Sequence, residues 1–288
     1  MMISLLLAML WVLCMLHPMF YMACGCVAEE RAALLRIRSS LQEAGRSGNV
    51  PIEPLEHTGD CCSWSYVSCD DNRRVKGLHL SGLYDLEGSV VTAKSRCWDL
   101  NMTLFSPLRR LGLLDLSWNS ACLHNLDGFQ ELTNLRQLDL SHNSFAGNDI
   151  MASLATLPSL EVLNLASTNM SGPLQNIDGD APDFEWSTPS YELQGFTFFT
   201  KATFGNMTGM ESLDLSHNEL SGPIPQELTQ LWSLEMFSVA YNNLSGCVAN
   251  SGQFDTFTMD SYQGNKNLRH SSLGCLGGSG PIVPALED

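Results

Sequence analysis

Apolar residues recur along this chain in a short, fixed frame. In residues 210–218, MESLDLSHN, Leu213 and Leu215 are two apart, and Leu220 comes just beyond Asn218. In a strand, that spacing turns Leu213 and Leu215 to one side and sends Asp214 and Ser216 to the other, toward solvent. The strand cannot run on, because Gly222, Pro223 and Pro225 punctuate the next stretch of chain. A single short strand has nothing against which to bury Leu213, so it needs copies of itself above and below.

The copies are present. LGLLDLSWN (111–119), LRQLDLSHN (135–143), LEVLNLAST (160–168) and LEMFSVAYN (234–242) share the frame L-x-x-L-x-L-x-x-N without gaps, and VKGLHLSG (75–82) is a shorter version. The fourth position of the frame falls at 78, 114, 138, 163, 213 and 237, giving steps of 36, 24, 25, 50 and 24. Steps of this size, within the roughly 20–29 residues of one coil, predict an α/β solenoid of leucine-rich repeats. The step of 50 reads as two steps of 25, one of them without a legible strand. An asparagine at the ninth position suits a ladder, since its amide bonds backbone groups of its own and the adjacent turn. Thr168 breaks that ladder, with Asn169 one place late.

Charge and cysteine usage narrow the setting. With 31 acidic and 15 basic residues the net charge is −16, which argues against nucleic-acid or anionic-membrane partners. Residues 1–25 carry no Lys, Arg, Asp or Glu and read as a secretory signal, with Ala23 and Gly25 near the cleavage site. A basic leading segment is missing, so an uncleaved anchor is the alternative reading. No later apolar run reaches the roughly 18 residues of a membrane span. Ten cysteines point to an oxidising compartment. Cys14 and Cys24 leave with the signal; Cys26, Cys61, Cys62, Cys69, Cys97, Cys122, Cys247 and Cys275 remain. Sequons at Asn101, Asn169, Asn206 and Asn243 predict glycosylation.

The extensions after the frame carry a subtype. LSGPIP after Asn218, SGPL after Asn169 and LSGC after Asn243 resemble the L-x-G-x-I-P segment of plant extracellular leucine-rich-repeat proteins. Glu29 to Leu41 predicts an amphipathic helix with Leu34, Ile37 and Leu41 on one face, acidic at its start and with Arg36 and Arg38 near its end. CVAEERAALLRIRSSL, then CCSWSYVSC and RV, is similar to the N-terminal cap of plant leucine-rich-repeat receptors and receptor-like proteins. That resemblance implies a horseshoe with a disulfide-stapled cap, pairing Cys26 with Cys61 and Cys62 with Cys69. Cys97 and Cys122 lie 14 and 13 residues before Leu111 and Leu135, equivalent sites on neighbouring coils that are compatible with a disulfide. Cys247 and Cys275 are then left as a pair.

Residues 175–209 break the repeat. Asp178, Asp180 and Asp183 lack calcium-loop spacing, and FTFFTKATFGNMTGMESLDLS resembles the closing segment of the island that interrupts plant receptor-like proteins. The stretch from Leu228 to Leu268 resembles the last repeat and C-terminal cap of that family, except that Leu268, Arg269 and His270 stand where the family continues Leu-Cys-Gly. The expected divisions are a signal (1–25), cysteine cap (26–74), repeats (75–174), island-like insertion (175–209), repeats (210–246), and C-terminal cap with an acidic tail (247–288).

No catalytic motif of the H-E-x-x-H, G-x-S-x-G or P-loop type occurs, and the cysteines lack zinc spacing. No enzyme, cofactor or metal is therefore expected. His79, His142 and His217 lie on outward positions of different coils, where a pH-sensing column is one reading. Asp115, Asp139 and Asp214 belong to the repeat's own D-L-S pattern and are expected to be solvated. The resemblance implies an extracellular recognition protein of defence or development, binding a peptide, protein or glycan and signalling through a co-receptor kinase. It would be secreted, or at the plasma-membrane surface if the chain is longer or its first segment stays as an anchor. A secreted inhibitor similar to the polygalacturonase-inhibiting proteins is the alternative, as is a truncated product without function. Expected ligand contacts on the concave face are Leu113, Trp118, Arg136, His142, Glu161, Val162, Glu211, His217, Met236 and Tyr241.

Overall fold

The computed structural model describes residues 26–45, 59–83, 97–145, 150–174, 207–248 and 251–269. The signal segment, most of the insertion, Asn206 and Cys275 lie outside the described residues. Helix α1 (Ala28–Gly45) opens the fold, followed by β1 (Val67–Cys69), β2 (Val75–His79), β3 (Trp98–Asn101), β4 (Leu113–Asp115), β5 (Ala121–His124) and β6 (Gln137–Asp139). Then come the short helix α2 (Ile150–Leu154), β7 (Val162–Asn164), β8 (Ser171–Pro173), β9 (Ser212–Asp214), β10 (Glu219–Gly222), β11 (Met236–Ser238), β12 (Asn243–Cys247) and β13 (Asn267–Arg269).

The frame strands make one inner sheet in the order β1-β2-β4-β6-β7-β9-β11. From β2 onward all pairs are parallel, with Leu78, Leu114, Leu138, Leu163, Leu213 and Phe237 in one register. These residues are all buried, so each coil covers the apolar edge of the one before. The family-type extensions make a second sheet, β13-β12-β10-β8, while β3 and β5 pair by themselves. Strand β7 pairs directly with β9. The step of 50 is therefore one coil carrying an insertion, not two coils with one strand hidden. Two coils, one without a legible strand, are the expectation when 50 is twice 25; only the sheet shows which strands are neighbours.

The asparagine ladder is built as expected and is longer than the frame showed. Asn119, Asn143, Asn218 and Asn242 each donate through Nδ2 to carbonyls of their own turn and to one carbonyl of the preceding coil. Asn265 adds a rung inside the C-terminal cap, donating to Val239 O and Tyr262 O and accepting from Leu244 N. Its coil was illegible because Ser261 and Gln263 flank Tyr262 where strand residues are expected, yet Val239 N and Tyr241 N donate to Ser261 O and Gln263 O as if to another strand. Thr168 keeps part of the role, since its hydroxyl donates to Leu165 O at 2.8 Å and its N–H donates to Asn218 Oδ1. It is too short to serve as the bridge to the preceding coil that an asparagine supplies.

The N-terminal cap closes the first edge. Ala33, Leu34, Ile37 and Leu41 of α1 are fully buried. The helix runs a turn further than expected, to Gly45, so Arg36 and Arg38 sit mid-helix and its last turn holds no basic residue. Glu30 is buried and accepts from Arg74 Nε at 2.7 Å and from Val75 N at 3.0 Å, binding the helix to the first parallel strand. Disulfides join Cys26–Cys61, Cys62–Cys69 and Cys97–Cys122, with Cα atoms 5.7, 5.5 and 5.6 Å apart. Cys247 is also disulfide-bonded, and the partner expected for it, Cys275, lies outside the described residues. Trp98, fully buried, donates through Nε1 to Ser40 of α1 and so ties β3 to the cap. Gly128 allows the turn over residues 126–131 to lie against the Met102 carbonyl, where any Cβ would overlap it.

Candidate functional site

The inner sheet presents every second residue of each frame strand away from the core. A groove of about 400 Å³ runs across it, lined by side chains that include His79, Leu113, Asp139, Val162, Asp214 and Met236. The aspartates here are half-buried rather than solvated. Asp115 and Asp139 each accept through Oδ1 from the N–H and hydroxyl of the serine two residues on, and Asp214 accepts from Ser216 N, closing the turn at the end of the strand. Asp139 Oδ2 also accepts from Asn164 Nδ2 on the next coil at 3.0 Å. The D-L-S pattern is thus a turn lock.

That turn places the eighth frame position in a left-handed conformation. Trp118, His142, Ser167, His217 and Tyr241 have φ of 58°, 55°, 56°, 54° and 55°, and Gly82 takes the same place in the first coil with φ 65°. Large side chains are uncommon there, because Cβ crowds the backbone. The two with the largest side chains, Trp118 and Tyr241, are also exposed, at 60% and 43%. Trp118 stacks on His142, with ring centroids 3.5 Å apart and planes at 17°; His217 stacks on Tyr241 at 4.5 Å and 16°. Arg136 pairs with Glu161 across adjacent strands, Met236 is 68% exposed, and Glu211 is exposed beside it. Leu113 and Val162 are half-buried in the groove. Nine of the ten expected contact residues thus fall into two ring pairs, one ion pair and an apolar group of Leu113, Val162 and Met236 that lines the groove, with Glu211 the tenth. The three histidines do not share a column: His79 is at the fifth position of its coil, while His142 and His217 are at the eighth. Burial lowers the His142 pKa; Asp139 opposes that shift and His217 adds to it.

Two family profiles match. "Leucine rich repeat N-terminal domain" covers residues 27–70, and "Leucine Rich Repeat" covers residues 134–157 and 209–231. Receptor like protein 21 of Arabidopsis thaliana is 38% identical over 250 residues, covering 82% of this chain and 22% of its own length. Cuscuta receptor 1 of Solanum lycopersicum is 38% identical over 244 residues, covering 78% of this chain and 21% of its own. The chain is a leucine-rich-repeat protein similar to the plant receptor-like proteins. It spans about a fifth of the length of the curated relatives it matches. Among solved structures, the ectodomain of the Arabidopsis thaliana receptor kinase GASSHO1/SCHENGEN3, in complex with Casparian strip integrity factor 2, is 22% identical with a TM-score of 0.48, over 83% of this chain and 27% of that one.

Sequence reading of this leucine-rich-repeat protein identified outward-facing residues of the inner sheet but not their pairings. Stacking depends on the αL turn, which the frame's eighth position signals only through Gly82 in the first coil. Among the described residues, no helix is long and apolar enough to cross a membrane. Cys26, Asp60 and Cys61 cluster closely, but the two cysteines are joined to each other. Asp60 there serves the cap, accepting from Cys26 N and Cys62 N and pairing with Arg73.

Proposed function

We propose that this chain is an extracellular recognition protein without catalytic activity, binding a peptide, protein or glycan on its inner face and relying on a membrane partner kinase for any signal. The observation that carries this reading is the row of exposed rings held in a left-handed turn. Trp118 and Tyr241 occupy a position that glycine fills in the first coil, so folding alone gives no reason for large exposed rings there. Exposed Trp, Tyr and Arg are the residue types that dominate binding energy at interfaces. The similarity to receptor-like proteins supports the same reading, and the sequons at Asn101, Asn169, Asn206 and Asn243 would carry glycans on such an extracellular protein. Asn169 and Asn243 are exposed, and Asn101 is half-buried as the cap of a short helical turn.

The test is affinity capture from plant extracellular fluid with the tagged, purified chain, beside the triple variant Trp118→Ala, Met236→Ala, Tyr241→Ala. A ligand retained by the first and weakened about tenfold or more in the second, with both melting alike, is the expected result. Capture of a cell-wall hydrolase, inhibited on binding, would instead establish the inhibitor reading. Equal retention by both proteins would remove the inner face as the site.

A further inference from the structure

The eighth-position column of the inner face lacks one ring. Trp118 and His142 stack on one side, His217 and Tyr241 on the other, and Ser167 stands between the two pairs with the same left-handed backbone. Strand β7, which leads into Ser167, pairs in register with β6 and β9. The sheet therefore holds the His142 and His217 turns two strand spacings apart, about 9.5 Å. A ring entering above Ser167 would lie one spacing, about 4.8 Å, from each imidazole. That falls within the roughly 4.5–7 Å between centroids at which aromatic rings stack.

We propose that His142, Ser167 and His217 form a slot that takes one aromatic side chain of a peptide ligand, sandwiched between the two imidazoles. The slot rests on the recognition function proposed above and deepens it by naming one contact and its chemistry. The backbone ladder fixes the spacing of the three turns, and side-chain tilt adjusts the ring separation about it, as the 3.5 and 4.5 Å stacks on either side show. The surrounding charge selects the residues beside that ring. Asp139 acts electrostatically on His142, Asp214 holds the same frame position two strands away, Glu211 immediately precedes β9, and Arg136 is engaged with Glu161. Lys or Arg next to the inserted ring would complement this field. A sugar ring fits less well. It needs polar partners around its edge, and Asp139 already spends both oxygens on Ser141 and Asn164.

The test uses the purified full chain and three capped peptides, Lys-Lys-Xaa-Lys-Lys with Xaa as Trp, Tyr or Leu, tracked through the histidine ring resonances. The Trp and Tyr peptides should bind about fivefold or more tightly than the Leu peptide. They should shift His142 and His217 by ring current while leaving His79 in place. Ser167→Tyr completes the column with a residue already present at that backbone conformation in the Tyr241 turn, so it should fold as wild type and erase the preference for aromatic peptides. If that variant does not fold, His217→Ala serves instead, removing one wall with the same expected loss of preference. Equal affinity for the Trp and Leu peptides, or an aromatic preference that survives Ser167→Tyr, overturns the slot. So does a pectic oligosaccharide that moves both histidines when the Trp peptide does not. A captured natural ligand that binds wild type and Ser167→Tyr equally would end the slot and leave the recognition function standing. Aromatic-dependent binding that Ser167→Tyr abolishes, beside equal retention of a captured ligand by wild type and the triple variant, would support the slot while removing the inner face as that ligand's site.

Discussion

Asn218 and Asn169 show how much one frame position decides. Asn218 is buried, donates to Leu165 O, Leu215 O and Ser216 O, and accepts from Thr168 N and Met170 N. Asn169, one place outside the ladder in its own coil, is exposed. Leaving a buried backbone group unpaired costs about 1–3 kcal/mol, so Asn218→Leu should destabilise by about 3 kcal/mol or more. Asn169→Leu should lose only the roughly 1–2 kcal/mol of holding leucine in a left-handed turn. Urea unfolding that gave equal losses would reject the ladder frame in that coil. His142 supplies a pH dependence whose sign is set by its environment. Its pKa is lowered on folding, chiefly by burial, so below the ordinary value of 6.5 the unfolded chain binds more protons than the folded one. Its contribution to stability is complete above that pH and is lost as pH falls through the folded pKa. Melting temperature should therefore drop less between pH 7.5 and 5.5 in His142→Gln than in wild type, and parallel curves would exclude the effect.

At the scale of elements, the caps do what the repeats cannot do for themselves. Helix α1 covers the first coil with an apolar face, and buried Glu30 holds it there through Arg74 and Val75 N. Glu30→Ala leaves that N–H and a half-exposed guanidinium without their acceptor. A loss of about 2 kcal/mol is expected, below the figure for a fully buried pair because Arg74 keeps contact with water. Hydrogen exchange should show the loss first in α1 and β2, since a solenoid opens from its ends. At the other end Phe237 packs with Phe254, Phe257 and Tyr262 at centroid distances of 5.0, 5.5 and 6.1 Å, so a cluster of rings stands where the next coil's leucines would be. The same cap supplies the Asn265 rung, which ends the ladder with its donors satisfied.

For the whole molecule, the direct pairing of β7 with β9 makes the longest step a single coil with additional chain. Its neighbours step by 24 or 25 residues, so removing residues 176–200 should leave a coil of ordinary length. The shortened protein should unfold in one cooperative transition with a midpoint at or above that of wild type, because β7 and β9, which flank the removed stretch, pair directly with each other. Two separated transitions, or loss of the fold, would mean that the removed residues carry part of the stack. The overall charge of −16 acts at this scale as well, favouring basic over acidic partners at long range, an effect that added salt weakens.

The solenoid itself was written in the sequence, because a repeat whose leucines cannot be buried alone admits only a stacked solution. Leu114, Leu138, Leu163 and Leu213 fall at fixed places in a frame of nine, and the structure sets them side by side. The outward-facing residues of the inner sheet were legible for the same reason, since alternation along a strand decides which residues leave the core. Two disulfides came from the resemblance of the cap, and the third from nearly equal offsets, 14 and 13 residues, on neighbouring coils. The sheet alone decided which strands neighbour across the step of 50, because a step length does not say where the extra chain leaves the coil. Tertiary structure also brought in Asn265, whose coil carries no leucine frame. Above all, it set the rings in a column with a gap at Ser167: that depends on a left-handed turn repeated at strand spacing, a property of stacked backbones rather than of any one repeat.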